Sequence, residues 1–365
     1  MTSQEAQREM TLLEMVKVMA GKHASDLHLT VGASPMLRLD TKMIPFEGQE
    51  ILTPEKTKDL AYQVLNPTQI ARFEETNELD MSFGLRDVGR IRMNVYRQRG
   101  SVAAALRLIP SKVWTFEELN LPKVVYEIVD KPQGLVLVTG ATGSGKSTTL
   151  ASMINYINEK HNGHIITIED PIEYVHNHKK CIVNQREIGS DSENFARALK
   201  HVLRQDPDVI LIGEMRDLET ISSAITLAET GHLVFATLHT MDAASSVNRI
   251  LDVFPSHQQA QIRSQLSMTL QAVFSQQLLP HISGKGMVLV SEVMIANGAI
   301  RAIVREAKTE QLYITMQTSS TQGMQTMNQS IAENIAKGKI SRGTGIEYSW
   351  NREELHRLLT ARGVK

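Results

Sequence analysis

Two regimes of apolar patterning divide the chain near residue 126. Before that point apolar positions come in short alternating runs, Asp26–Val31, Pro35–Leu39, Leu79–Leu85, Gly89–Tyr96 and Val102–Ile109, the period-two pattern of half-buried strands. Helical spacing lies between them near 54–65 and 67–75. Residues 1–20 place Met10, Leu12, Leu13, Met15, Val16 and Met19 on one side of a helix that stops at Gly21. The pattern predicts a small α+β domain over residues 1–109. Within Gly89–Tyr96, alternation turns Ile91, Met93 and Val95 inward and leaves Arg90, Arg92 and Asn94 together on the other face. Residues 110–125, PSKVWTFEELNLPKVV, carry proline towards both ends and little periodicity. They read as a linker that Trp114, Phe116 and Leu119 pack down.

From 126 onward, continuous apolar runs alternate with amphipathic helices. The runs Leu135–Val138, Ile165–Ile168, Val209–Ile212, Leu233–Thr237 and Met287–Val293 suit strands buried on both faces. Phe195, Leu199 and Val202 mark one intervening helix, and Ile221, Ile225 and Ala228 mark another that ends at Gly231. A long helix is expected from about 257 to Pro280. This predicts a doubly wound, parallel α/β domain over residues 126–296. Residues 297–365 read as wholly helical, with segments near 298–306, 309–317, 325–337 and 352–362.

Bulk composition narrows the function classes. With 39 basic and 40 acidic residues the net charge is −1, which argues against a non-specific nucleic-acid binder. No window reaches the roughly 18 apolar residues needed to span a bilayer, so no direct membrane insertion is expected. The single cysteine, Cys181, excludes a disulfide framework and a multi-cysteine zinc site; with the missing apolar leader it predicts a reducing cytoplasm.

The candidate chemistry follows the strands. Gly140, Ala141, Thr142, Gly143, Ser144, Gly145, Lys146 and Ser147 fill the pattern G-x-x-x-x-G-K-[ST] between an apolar run and a helix that continues through Thr148. Backbone N–H groups and the positive end of a helix converge at such a turn, predicting a site for nucleoside triphosphate. Lys146 would reach the terminal phosphates, and the Ser147 hydroxyl would join a magnesium shell. In DPDVILIGEMRD, residues 206–217, Glu214 stands just past a strand end and is the candidate to orient or deprotonate the attacking water. Gly213 occupies the position where such strands usually carry a magnesium-binding aspartate. The metal is therefore expected on Ser147, phosphate and water, with Glu214 reaching it through water.

Three further groups qualify. Glu169, Asp170 and Glu173 in ITIEDPIEY follow another strand; tuning of water or metal and simple capping with solvated loop carboxylates are equally good readings. In TGHLVFATLHT, His239 lies at the ligand end of its strand, where a neutral imidazole can hydrogen-bond a γ-phosphate. For His232, at the other end, a functional and a structural role stand level. Arg90, Arg92, Arg97, Arg99 and Arg107 cluster in and around two strands of the first domain. Taken alone, that segment is best explained as a solvated basic edge, although a planar cation also suits phosphoryl charge.

Together these segments resemble the secretion-ATPase superfamily, and within it the motors that retract type IV pili. The resemblance covers nearly the whole chain: ASDLHLTVGASP (24–35), RMNVYRQRG (92–100), the glycine-rich loop, the acidic box, DPDVILIGEMRD, the histidine box and AIRAIVREAKTEQL (299–312). It implies a PAS-like N-terminal domain joined to a RecA-like P-loop ATPase domain, assembled as a homo-hexamer that hydrolyses ATP with magnesium. It also implies a cytoplasmic motor docked at the inner face of the inner membrane through a platform protein, acting indirectly on pilin subunits. Two arginines fifteen residues apart close over the nucleotide in the family, and Arg92 and Arg107 match that spacing, with Arg97 a third candidate. Glu214 corresponds to the family's catalytic glutamate. Extension motors carry a four-cysteine zinc site that a chain with Cys181 alone lacks, which favours retraction. The alternatives are an accessory retraction paralogue or a type II secretion or conjugation motor. Outside this class stand a regulatory module that grips ATP without turnover, disfavoured by Glu214 and the paired arginines, and a nucleic-acid translocase, for which no basic or aromatic strand-binding stretch speaks.

Overall fold

The computed structural model describes residues 10–39, 42–109 and 112–364. Two compact units make up the chain, one built on residues up to Lys112 together with Glu173–Val175, and the other on Val113–Ile172 and the chain from His176 on. The division lies within the expected linker, whose residues from Val113 on belong to the second unit, where Phe116, Leu121, Val124 and Val125 are buried; Pro110 and Ser111, like residues 1–9 of the expected first helix, lie outside the described residues.

In the first unit, β1 (Asp26–Leu29), β2 (Met36–Leu39), β3 (Lys42–Pro45), β4 (Glu78–Leu85), β5 (Gly89–Gln98) and β6 (Ser101–Leu108) form one antiparallel sheet, ordered β3-β2-β1-β6-β5-β4. Helices Leu12–Gly21, Pro54–Tyr62 and Pro67–Thr76 pack on one face of it. Thr11 with Glu14 and Asn66 with Gln69 close capping boxes at two of these helices, satisfying amides that have no partner inside the helix. Ile91, Met93 and Val95 are fully buried, as their alternation requires. β3 was not anticipated: KMIP is a four-residue edge strand with little burial and so no alternation to read.

The second unit holds β7 (Gly134–Thr139), β8 (His164–Glu169), β9 (Ile182–Glu187), β10 (Val209–Ile212), β11 (Leu233–Leu238), β12 (Leu270–Pro280) and β13 (Met287–Ile295) in the order β13-β12-β7-β11-β10-β8-β9. All neighbours run parallel except β12 and β13. Every residue of β7, β10 and β11 is buried. Alternate strand residues feed two cores: Leu135, Leu137, Ile210 and Val234 pack with helices Leu218–Glu229 and Ala243–Asp252, while Val136, Val138 and Phe235 pack with helix Lys146–Lys160.

The long helix expected from 257 to 280 is corrected. Helix Ser256–Thr269 ends where Leu270 turns to φ −61°, ψ 129°, and the chain continues as the interior strand β12. Its Ser275 and Gln276 are fully buried and held by polar partners, Ser275 accepting from Thr139 of β7 at 2.9 Å and Gln276 donating to Thr149 of helix Lys146–Lys160 at 2.8 Å. Beyond β13 lie helices Gly298–Arg305, Leu312–Thr318, Met327–Ala336, Arg342–Tyr348 and Arg352–Ala361. Arg342–Tyr348 was unforeseen because it carries two glycines; at Gly345 a Cβ would fall 2.4 Å from Ile335, so close packing explains that one. The outer edge of β13 is met by Gln325, which exchanges two backbone hydrogen bonds with Val293. Among the described residues no helix is long and apolar enough to cross a membrane.

Glu292 on β13 is 1% exposed and accepts the first amide of helix Ala243–Asp252 at 2.8 Å. Burial pushes its carboxyl up to about 7, the Ala243 amide opposing and Asp242 adding to the rise. A carboxyl raised in the folded state holds its proton more tightly there than in the unfolded chain, so its contribution to stability is complete below the unfolded value and is lost as pH rises. The melting temperature followed by circular dichroism is therefore expected to carry a downward component between pH 4.5 and about 7. Glu292→Gln should flatten that component; an unchanged slope would assign it elsewhere.

Candidate functional site

The phosphate loop leaves the end of β7 on three left-handed glycines, Gly140, Gly143 and Gly145, at φ +141°, +80° and +90°. A Cβ on Gly140 would fall 2.5 Å from the Gln276 carbonyl of β12 and from Ser144 Oγ, so only glycine fits. Ala141, Thr142 and Gly143 form an exposed crest, while Ser147 and Thr148 are half-buried in the first turn of helix Lys146–Lys160. The opening amides of that helix have no carbonyl partner within it and carry the positive end of its dipole. Ser144 Oγ is buried without a hydrogen-bond partner among the described residues. Lys146 Nζ folds over the loop, donating to the carbonyls of Gly140 at 2.8 Å and Ala141 at 3.0 Å. Glycine backbone free of side chains, a buried hydroxyl without a partner among the described residues and a lysine ammonium over the loop fit a triphosphate.

Strand register brings the other groups level with this loop. Thr139 of β7 stands opposite Leu238 of β11, and Ala236 of β11 opposite Ile212 of β10. His239 and Glu214 therefore emerge within about one 3.3 Å residue step of Gly140 along the strand direction. His239 Nε2 lies 3.0 Å from Glu214 Oε1, and Arg216 Nε lies 2.6 Å from the same oxygen. Burial works to raise the Glu214 carboxyl, but Arg216 and His239 outweigh it and hold the group below the usual carboxylate range. The turn is fixed by Thr237, whose Oγ1 donates to the Gly213 carbonyl at 2.5 Å and whose carbonyl accepts from Met215 at 3.1 Å. A Cβ on Gly213 would approach the Ile168 carbonyl and Glu169 Cα to 3.2 Å. The close passage of β8 thus explains why glycine replaces the expected aspartate.

Glu169 ends β8 half-buried, accepting from Thr167 at 2.6 Å and Gln185 at 3.2 Å, while Asp170 and Glu173 are exposed in the following loop. His232 is removed from the phosphate loop. It precedes β11, its carbonyl accepts the Gly134 amide at the start of β7, and its Nδ1 sits 3.0 Å from the Leu227 carbonyl. The six-residue strand β7 at about 3.3 Å per residue separates it from the loop by roughly 20 Å. Among the described residues no group of three or more His, Cys, Asp or Glu could hold a metal alone. Any metal would lean on Ser147 and on phosphate oxygens. Sequence reasoning missed Arg216, Thr237 and Gln276; the signal for the last was a polar residue inside an apolar run.

In the first unit, one row crosses the sheet from β4 to β2: Ser82, Arg92, Arg107, Asp26 and Arg38 stand opposite one another in turn. Arg107 Nε donates to Asp26 Oδ1 at 2.7 Å. Arg92 makes no hydrogen bond or ion pair among the described residues. Arg97 is engaged elsewhere, paired with Glu74 and lying 5.5 Å over the Phe73 ring, so the structure gives it a packing role within this unit.

The family model for Type II/IV secretion system proteins matches residues 7–356. The chain belongs to this family. Among relatives of this secretion-system protein, the type IV pilus retractation ATPase PilT of Pseudomonas aeruginosa is 48% identical over 338 residues, 91% of this chain and 96% of the relative. The type IV pilus ATPase PilU of the same organism is 39% identical over 346 residues, 95% and 90% of the two chains. The crystal structure of the pilus retraction motor PilT with bound ADP superposes with a TM-score of 0.90 at 50% identity, covering 96% of this chain and all of that one. The α/β fold, with an N-terminal domain and an ATPase domain, is that of this secretion-system family. Gly140→Ala is expected to cost about 2 kcal/mol or more of stability, measured by urea unfolding, and to abolish nucleotide binding; normal values in both would contradict the packing described.

Proposed function

We propose that this chain is an ATPase that powers retraction of type IV pili. One observation carries the chemistry: a phosphate loop, Glu214 and His239 lie level at the C-terminal ends of neighbouring parallel strands. The extensive identity to PilT, and the ADP held by the similar solved structure, support the motor reading. The lower identity to PilU supports the principal over the accessory role.

ATP is the substrate, held by the loop amides from Gly140 to Ser147 and by Lys146. Glu214, ionised because Arg216 and His239 stabilise its charge, aligns water and accepts its proton as oxygen attacks the γ-phosphorus and the bond to ADP breaks. Magnesium on the Ser147 hydroxyl, with Glu214 behind a water, would neutralise phosphate charge when bound. His239 contacts Glu214 and would sense the γ-phosphate; Glu169, Asp170 and Glu173 are assigned a supporting role in the surrounding water. Arg92 and Arg107 of the first unit would close over the triphosphate and release when its last phosphoryl group is lost, which converts nucleotide state into domain rotation. On this reading residues 1–109, 126–296 and 297–365 act as the PAS-like domain, the RecA-like core and a helical appendage. Six copies would form a ring at the cytoplasmic face of the inner membrane, turning a platform protein that returns pilin to the membrane.

Glu214→Gln should retain nucleotide affinity and lower phosphate release at least a hundredfold, in the range expected for a lost general base; an unaltered rate would remove Glu214 from the mechanism. Because Arg216 helps keep the Glu214 carboxyl low, activity should fall as pH drops through that ionisation. Arg216→Ala should shift the acid limb of kcat/KM to higher pH. A limb that stays in place would mean that another group sets it.

A further inference from the structure

Arg92 and Arg107 stand directly opposite each other on one face of the antiparallel pair β5–β6, where like charges repel. On its other side Arg107 faces Asp26 of β1. The contrast in exposure is large: the Asp26 side chain is 7% exposed and that of Arg107 65%. The buried acid is itself held, accepting from Ser25 Oγ at 2.8 Å on Oδ2, with Arg38 Nε 3.6 Å from the same atom. Its charge is secured too, since Ser25 and Arg107 outweigh the burial that works to raise its carboxyl.

The atom used by Arg107 matters. Asp26 takes Nε, at the inner side of the guanidinium, and the two outer η-nitrogens make no hydrogen bond or ion pair among the described residues. A carboxylate acting only to neutralise charge commonly engages an arginine through the outer fork, as bidentate pairs do. Here the anchored acid holds the guanidinium by Nε and leaves its fork unengaged on a side chain that is 65% exposed. We propose that Asp26 is a positioning residue for Arg107, gripping Nε so that both η-nitrogens are presented to a phosphoryl group. The inference rests on the nucleotide clamp described above and adds the residue that preorganises it.

The test is a double-mutant cycle in steady-state ATP hydrolysis by the full chain, using Asp26→Asn, Arg107→Ala and the pair. Asp26→Asn, which keeps shape but removes charge, is expected to lower kcat/KM about tenfold. In the Arg107→Ala background the same change should cost less than about twofold, because the group it positions is gone. Losses that multiply in the double variant would overturn the proposal while leaving the clamp intact. An Arg107→Ala variant with native hydrolysis would overturn both. If Asp26→Asn does not fold, Arg107→Lys answers separately: an ammonium paired to Asp26 offers no second fork, so it should be as impaired as Arg107→Ala, and native activity in it would refute the assignment.

Discussion

The chemistry of the second unit depends on one constraint, the parallel register of β7, β11 and β10. Parallel strands all point their C-terminal ends the same way, so a residue added after each emerges on one rim. Thr139 opposite Leu238 and Ile212 opposite Ala236 set that rim to within a residue. Phosphate loop, histidine and glutamate are thus juxtaposed although 99 residues separate Gly140 from His239. The fully buried strands make a slip expensive, since any shift would drag apolar side chains out of both cores. The geometry of the candidate site is in this sense inherited from hydrophobic packing.

Polar groups at the rim extend the same logic. Thr237 ties the turn carrying Glu214 to the neighbouring strand, and β12 backs the phosphate loop with Gln276. The first unit works differently. Its antiparallel sheet has one apolar face against helices and one face bearing ion pairs and an arginine without a partner among the described residues. Like charges kept adjacent on a structured surface are unfavourable on their own.

Much of this was legible in the sequence. The buried runs around Val136, Ile210 and Val234 announced a parallel sheet, the glycine-rich loop lay where a strand met a helix, and the alternation of Ile91, Met93 and Val95 correctly sorted the faces of β5. What escaped detection shares a physical cause. β12 follows its helix without glycine or proline, and its Ser275 and Gln276 look like a solvated helix face because their partners, Thr139 and Thr149, lie more than a hundred positions away. β9, with the sequence IVNQRE, is an edge strand whose polar residues hide its period. For His232, at the far end of the strand from His239, the sequence left function and structure level; the length of β7 removes it from the loop. The pairing of Asp26 with Arg107 spans 81 positions, and no local pattern encodes it.

The two borders of the seven-stranded sheet bear on life at high local concentration. A strand with open backbone donors invites another chain to zip onto it. At one border Gln325 already pairs with Val293; at the other, β9 is polar along Asn184, Gln185 and Arg186, with Ile182 exposed at its start and Glu187 buried at its end. A second strand is therefore met at one border by a pairing already made at Val293, and at the other by side chains that mostly prefer water.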